Sequence, residues 1–420
     1  MGHLGKLTRQ SYLSLQKRMD RFPTGIVDSK YLYEILKILF TDEEAKLCSV
    51  MPLCGFTVKE MSRIWKKPET EALKILNNLA DKALTYDFEI DGIHYYMLAL
   101  PILGFFEFSL MRTDGKFDRK RLSELYYQCI NVEEDLIKQF LSVDTPMSRT
   151  FVYENELKNI TSEILPYEKA RSIIDTATCI TVGTCFCRHK MEHMGKACDN
   201  PQDVCLTFNK MAKYVAQHKI AREINKKEAH KILDLCIKKG LVQIGDNVKE
   251  NVAIICNCCG CCCDLLLGYK RFNFHHAISP SSYISNIDND LCSDCGVCLK
   301  KCPVDAISKN NNKYIVNKSS CLGCGVCSRF CVENACQMEV RPKKIFVPEK
   351  FLEATIFRAT EQGKLGNILF DNQISRTHII MRNIFNVLLS LPLIKLVILN
   401  KNSLFPIVKT ILKHKNSIPY

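Results

Sequence analysis

The chain has no apolar run of the roughly 20 residues that a membrane-spanning helix needs. Met1 to Asp20 also lacks the apolar core and small-residue cleavage site of a secretory signal, so the expected setting is the cytoplasm. No Gly-rich fingerprint opens a helix after a strand, so no flavin or nicotinamide site is legible. A net excess of either charge is lacking over most of the length. Residues 341–420 hold thirteen Lys/Arg against four Asp/Glu, which leaves 45 against 41 in the first 340. The bulk is therefore no polyanion binder, and an anionic partner would meet the C-terminal region. With 47% apolar residues in 420 there is ample chain for a core, so cysteines are not needed as staples.

Against these absences stand 24 cysteines. In a reducing compartment they point to metal or redox chemistry rather than disulfides. Six fall in the segment CNCCGCCC, as Cys256, Cys258, Cys259, Cys261, Cys262 and Cys263. If the segment is extended, Cys256, Cys258 and Cys262 face one way and Cys259, Cys261 and Cys263 the other, with Gly260 free to kink the chain. Adjacent thiolates repel and adjacent thiols oxidise; a bound metal removes both problems.

Two further runs, CSDCGVCLKKCPVDAI from Cys292 and CLGCGVCSRFCVENA from Cys321, share the spacing C-x2-C-x2-C-x3-C. The alternative of paired zinc ribbons would need C-x2-C knuckles joined through a long spacer. The runs resemble the bacterial two-cluster [4Fe–4S] ferredoxin between about Tyr283 and Glu339. That resemblance implies one cluster on Cys292, Cys295, Cys298 and Cys331 and another on Cys302, Cys321, Cys324 and Cys327, because the fourth cysteine of each run serves the other cluster. It also implies a potential of about −400 mV. Gly296 and Gly325 would relieve crowding beside the inorganic sulfur, and Tyr314-Ile315-Val316 would form a strand between the halves. Val332 departs from the second Cys-Pro often found there. All eight thiols lie between Cys292 and Cys331, so the module reads as self-contained.

Upstream, TCFCRHKMEHMGKACDNPQDVCLTF supplies Cys185, Cys187, Cys198 and Cys205, with Arg188, His189, Lys190 and Lys196 nearby. Four thiols among cations suit an anionic iron–sulfur cluster. A zinc site on Cys185, Cys187, His189 and His193 is the alternative. The ten cysteines of this region and CNCCGCCC suffice for two cubanes with two thiols spare, or for one cubane and one unusual cluster. Cys258-Cys259-Gly260 is similar to the CCG signature of heterodisulfide-reductase-type proteins, without its longer flanking spacings. Together with GFFEFSLMR, these runs resemble a group of multi-cluster ferredoxin-domain proteins of anaerobic microbes. Cys48, Cys54, Cys129, Cys179 and Cys236 have no partner at ligand spacing.

The N-terminal pattern predicts a helix from Val58 to Lys66, a turn at Lys67-Pro68 and a second helix carrying Ala72, Ile75, Leu76, Leu79 and Leu84. A hairpin around Asp91-Gly92 follows. This order resembles a winged helix. The second helix opens with Glu69 and Glu71, which repel phosphate, so DNA binding is not expected. Residues 206–240 read as helical, with Asn225 capping one helix and Gly240 ending it. Residues 384–399, IFNVLLSLPLIKLVIL, read either as a helix packed on the protein's own core or as a basic amphipathic segment at a membrane surface or partner. Core packing is the commoner use of such runs.

The expected architecture is α+β. It comprises a winged-helix-like domain (1–110), a helical connector (111–178), a cysteine-rich iron–sulfur domain (179–282), a 2[4Fe–4S] ferredoxin-type domain (283–340) and a basic helical C-terminal region (341–420). The expected role is single-electron transfer through two [4Fe–4S] clusters and one or two more, between redox partner proteins. The alternatives are a redox-responsive regulator that reads DNA and a reductase with its centre at CNCCGCCC.

Overall fold

The computed structural model describes residues 2–157, 160, 164–274, 277–311, 313–372, 375–400 and 405–414. The protein mixes helices and strands. The five sequence segments fold into two compact units: residues 1–143, 217–220 and 352–420 form one, and residues 144–216 and 221–351 form the other.

In the first unit, the helices Val58–Trp65 and Glu69–Asp81 precede the antiparallel strands Thr85–Ile90 and Ile93–Leu98. Thr57 and Glu60 form a reciprocal capping box at the start of the first helix. The second helix buries Ala72, Leu76 and Leu79, whereas Leu84 is buried beyond its end. Asp91 and Gly92 both take positive φ, as a tight hairpin turn of mirror-image type requires. The C-terminal helices of this unit pack Leu389, Ile398, Phe405 and Val408 against Ile356 and Phe357. The core-packed reading of 384–399 holds for Leu389 and Ile398, with Phe385, Ile394 and Leu399 partly buried against the same core; Ile384, Val387, Leu388, Leu391, Leu393, Leu396 and Val397 are exposed. The Pro392–Leu399 helix turns by 102° from Arg376–Leu388, which leaves those side chains on two short faces rather than one long buried one. No single described helix is long and apolar enough to cross a membrane.

The second unit is built on a seven-stranded sheet. Its spatial order is Arg222–Glu223, Ile180–Thr184, Asp203–Phe208, Ile254–Cys258, Val242–Asp246, Ser148–Thr150 and Ile278–Ser279. All neighbours run antiparallel except the last pair. Residues 206–208 were expected to be helical, and they are strand. Their β-branched and aromatic residues pack into the sheet centre, where Val204, Leu206, Thr207 and Phe208 are fully buried, and tertiary burial decides the outcome. The helix expected from Asn225 is present as Lys226–Lys239, with the Asn225 side chain accepting from Glu228 N–H and Gly240 left-handed at the end.

The ferredoxin-type segment pairs Tyr283–Ile287 with Cys336–Val340 and Ile307–Asn310 with Lys313–Val316. The second of these hairpins contains the expected Tyr314-Ile315-Val316 strand. The segment is knitted to the rest of its unit. Tyr153 N–H donates to Cys324 O at 3.0 Å and Tyr269 O–H to Ser320 O at 3.1 Å.

Candidate metal centres

The register of the large sheet brings three thiols to one face. Leu206 pairs with Ile255, so Cys205 stands opposite Cys256, and Cys258 shares the face of Cys256 two residues on. Helix starts supply three more. Cys185 caps the helix Phe186–His193, whose first turn holds Cys187, and Cys263 caps the helix Asp264–Phe272. The field at a helix N-terminus favours thiolate. Cys187 contacts Cys263, Cys263 contacts Cys258, Cys258 contacts Cys256, and Cys256 contacts Cys205. Cys185 lies in the field of Cys256 and Cys263.

The remaining four thiols gather apart from these. Cys198, Cys259, Cys261 and Cys262 have their sulfurs all within 4.8 Å of one another. The structure thus regroups the ten cysteines. Cys198 leaves Cys185, Cys187 and Cys205, and CNCCGCCC is divided between both groups. Strand alternation holds through Cys258. The chain then turns at Gly260, so Cys259, Cys261 and Cys262 converge while Cys263 returns to the first group. The turn requires glycine because a Cβ there would stand 2.6 Å from Pro303 O. Among the described residues, no ligand group joins His189 and His193 to Cys185 and Cys187; the two imidazoles face each other, Nε2 to Nε2, at 3.2 Å.

Proton sharing splits the thiols. Cys262 S–H holds Cys259 down at about 4, and Cys187 with Cys258 holds Cys263 down at about 5. Contacts with Cys205 and Cys258 lower Cys256, while the donors Cys187, Cys258 and Cys262 are raised. Each group therefore pairs lowered thiols with raised ones, Cys185 and Cys261 standing at about 12, and the lowered thiols supply the thiolate form a metal needs.

Buried cations surround them. Arg188 is fully buried and donates to the carbonyls of Pro201 and Asn257, and its Nε has no hydrogen-bond partner among the described residues. Burial opposes its charge, but the fields of Cys185, Cys259 and Cys258 outweigh it and raise its pKa. Lys190 is equally buried and pairs with Asp264 at 2.5 Å, and Cys187 S–H donates to the same carboxylate at 3.8 Å. Sequence reasoning noted both cations but not Asp264. Its position next to Cys263 was the available signal.

In the ferredoxin-type segment, Cys302, Cys321, Cys324 and Cys327 line one cavity. Those are the four thiols that the resemblance assigns to one cluster. The four sulfur donors fit a [4Fe–4S] group. Ala306 N–H donates to Cys302 Sγ at 3.2 Å, a bond that stabilises a cluster thiolate. Cys292, Cys298 and Cys331 pack together beside Ile287 and Tyr314, with Cys336 N–H donating to Cys331 Sγ at 3.3 Å. Cys295 is exposed on the loop between Cys292 and Cys298. Gly296 and Gly325 both take positive φ where each run turns into its helix, a conformation that favours glycine. Burial raises Cys298 and Cys302 to about 11, with like charge from neighbouring thiols adding to it. One thiol escaped the spacing analysis: Cys336 is buried and contacts Cys327. It lies five residues past the second run, outside its repeat.

Residues 286–308 match the 4Fe-4S binding domain family. The match spans Cys292, Cys295, Cys298 and Cys302, the whole first run. No curated protein and no solved structure matches the chain. The domain match and the cysteine groups point to an iron–sulfur protein of the electron-transfer kind.

Proposed function

We propose that this chain passes single electrons between redox partner proteins in the cytoplasm. Two [4Fe–4S] clusters sit on Cys292, Cys295, Cys298 and Cys331 and on Cys302, Cys321, Cys324 and Cys327. A further cluster sits in the six-thiol pocket of Cys185, Cys187, Cys205, Cys256, Cys258 and Cys263. The observation that carries the reading is the cavity lined by Cys302 together with Cys321, Cys324 and Cys327, since it joins the last cysteine of one run to the first three of the other. When bound, such clusters supply one-electron redox chemistry. The protein's own part is to hold the thiolates, to donate Ala306 and Cys336 N–H to sulfur, and to set Arg188 beside the middle thiols.

The test is a redox titration of anaerobically prepared full-length protein, followed by EPR. Two reversible one-electron steps near −400 mV, with about eight irons from the ferredoxin-type runs, are expected. A chain that binds iron but takes up no electron reversibly would overturn the electron-transfer reading.

Residues 1–110 are read as a winged-helix-like domain with a docking role rather than a DNA reader. Support comes from Lys67, which ion-pairs with Glu71 at 2.6 Å and Glu43 at 3.6 Å and so presents no free charge to phosphate. The exposed apolar side chains between Ile384 and Val397, in a segment of positive balance, favour peripheral contact with an anionic membrane surface. Flotation with vesicles rich in anionic lipid, lost on Leu393→Glu, is the expected result; no flotation at low salt would remove this contact.

A further inference from the structure

The four sulfurs of Cys198, Cys259, Cys261 and Cys262 stand at a spacing that suits one ion. Cys198 Sγ is 3.7 Å from Cys259 Sγ and 3.8 Å from Cys262 Sγ, and Cys261 Sγ is 3.7 Å from Cys262 Sγ. A tetrahedral ion bound to sulfur at about 2.3 Å places its ligand sulfurs about 3.8 Å apart. A cubane cannot use four sulfurs that all lie within 4.8 Å of one another. Each of its thiolates binds a different iron, and the body of the cluster stands between them, so its ligands must lie farther apart than those of one ion. We propose that Cys198, Cys259, Cys261 and Cys262 hold a single tetrahedral metal ion of the zinc class, and no iron–sulfur cluster.

The surroundings complete the site. Asn200 Nδ2 donates to Cys198 Sγ at 3.2 Å, which orients that ligand and offsets its charge. Arg188 contacts Cys259 from the buried side. All four positions are filled by protein sulfur, the pattern of a structural rather than a catalytic ion. The ion ties the loop after the helix Phe186–His193 to the turn after the strand Ile254–Cys258. Both segments also carry thiols of the six-membered pocket, so the ion fixes the pocket's rim. This inference goes beyond electron transfer and does not depend on it, since a chain with no redox activity would still bind the ion. It also restricts the iron count to about twelve, from three cubanes, rather than sixteen.

The test compares metals and acid-labile sulfide in full-length wild type and Cys261→Ser, both prepared anaerobically. Cys261 is the exposed member of the four, so serine there spares the packing. Cys198→Ser is the second variant. The expected result is the loss of one metal atom per chain, zinc or iron, with labile sulfide unchanged. Loss of about four irons with their sulfide would overturn the proposal, and so would no change in metal in either variant. X-ray absorption of the wild-type ion should show four sulfurs at about 2.3 Å. Metal–metal scattering from that ion, or nitrogen and oxygen ligands, would also sink the idea.

Discussion

The ferredoxin-type runs and the ten middle cysteines lie in one unit, yet they prepare thiols in opposite ways. In the runs, Cys302, Cys321, Cys324 and Cys327 line one cavity, and burial raises Cys302 to about 11. The middle sulfurs touch one another, and the contacts depress Cys259 to about 4 and Cys263 to about 5. Spread thiols wait protonated for a bulky group that displaces several protons. Crowded thiols share protons, so Cys259 and Cys263 are lowered while the donors Cys187, Cys258 and Cys262 are raised. The buried thiol Cys129 of the first unit is the baseline: burial, aided by the charge of Glu133, raises it to about 12. Burial alone makes an inert cysteine, and grouping makes a ligand.

The largest effect that could break this comparison is the loss of a whole cluster. Cys302→Ser with Cys324→Ser removes two thiols from the cavity and is expected to cost about four irons, while the metal of the middle groups stays. Iron and zinc analysis of the folded variant reads this directly. If the middle metal leaves as well, the contacts through Tyr153 and Tyr269 make one cooperative site, and the two neighbourhoods are not separate.

The next effect concerns how the middle thiols are held. The runs rely on backbone N–H groups, whereas the six-thiol pocket stands on the buried pair Lys190–Asp264. Lys190→Met removes the cation that neutralises the buried Asp264 carboxylate and is expected to cost about 3–5 kcal/mol. Adding Asp264→Asn should recover much of that loss, because the stranded charge is gone. Anaerobic urea unfolding of the single and double variants measures both. An unchanged midpoint for Lys190→Met would show that the pair carries no weight.

The first run, Cys292 to Cys302, was legible in the sequence as a 4Fe-4S motif, because fixed spacing on a short chain leaves few arrangements. The helix–turn–helix–hairpin order at 58–98 and the capped helix after Asn225 were legible for the same local reasons. The seven-stranded sheet was not. Its strands at 203–208 and 254–258 are short apolar runs interrupted by cysteine, and their pairing joins residues far apart in sequence. The regrouping of Cys198 depends on that sheet, since the strand register and the close approach of Pro303 decide where the chain turns. Without the pairing, Cys198 reads as a neighbour of Cys205 alone.

A smaller change tests the turn itself. Gly260→Ala places a methyl group against Pro303 O, where the backbone has little room to yield. The expected cost is about 1–3 kcal/mol. The metal of Cys198, Cys259, Cys261 and Cys262 should weaken before any ferredoxin iron does. Chelator competition at fixed pH resolves the order of loss; simultaneous loss would mean that the turn positions both neighbourhoods.

The smallest effect lies outside both, in the first unit, and sharpens the comparison by needing no metal. His218 sits between Asp81 at 2.8 Å and Asp87 at 2.7 Å. Burial opposes its charge, but the two carboxylates outweigh burial and raise its pKa above the usual 6.5. A raised folded-state value means that the folded protein binds the proton more tightly than the unfolded chain. The stabilisation is full below about 6.5, the unfolded value. It fades as pH climbs through the higher folded value. His218→Gln should therefore lose stability relative to wild type at pH 6 and approach it at alkaline pH. The same difference should persist in protein stripped of iron and zinc, because no thiol takes part. A pH dependence that vanishes with the metals would place His218 under the control of the metal centres and undo the separation between the inert and ligating regions.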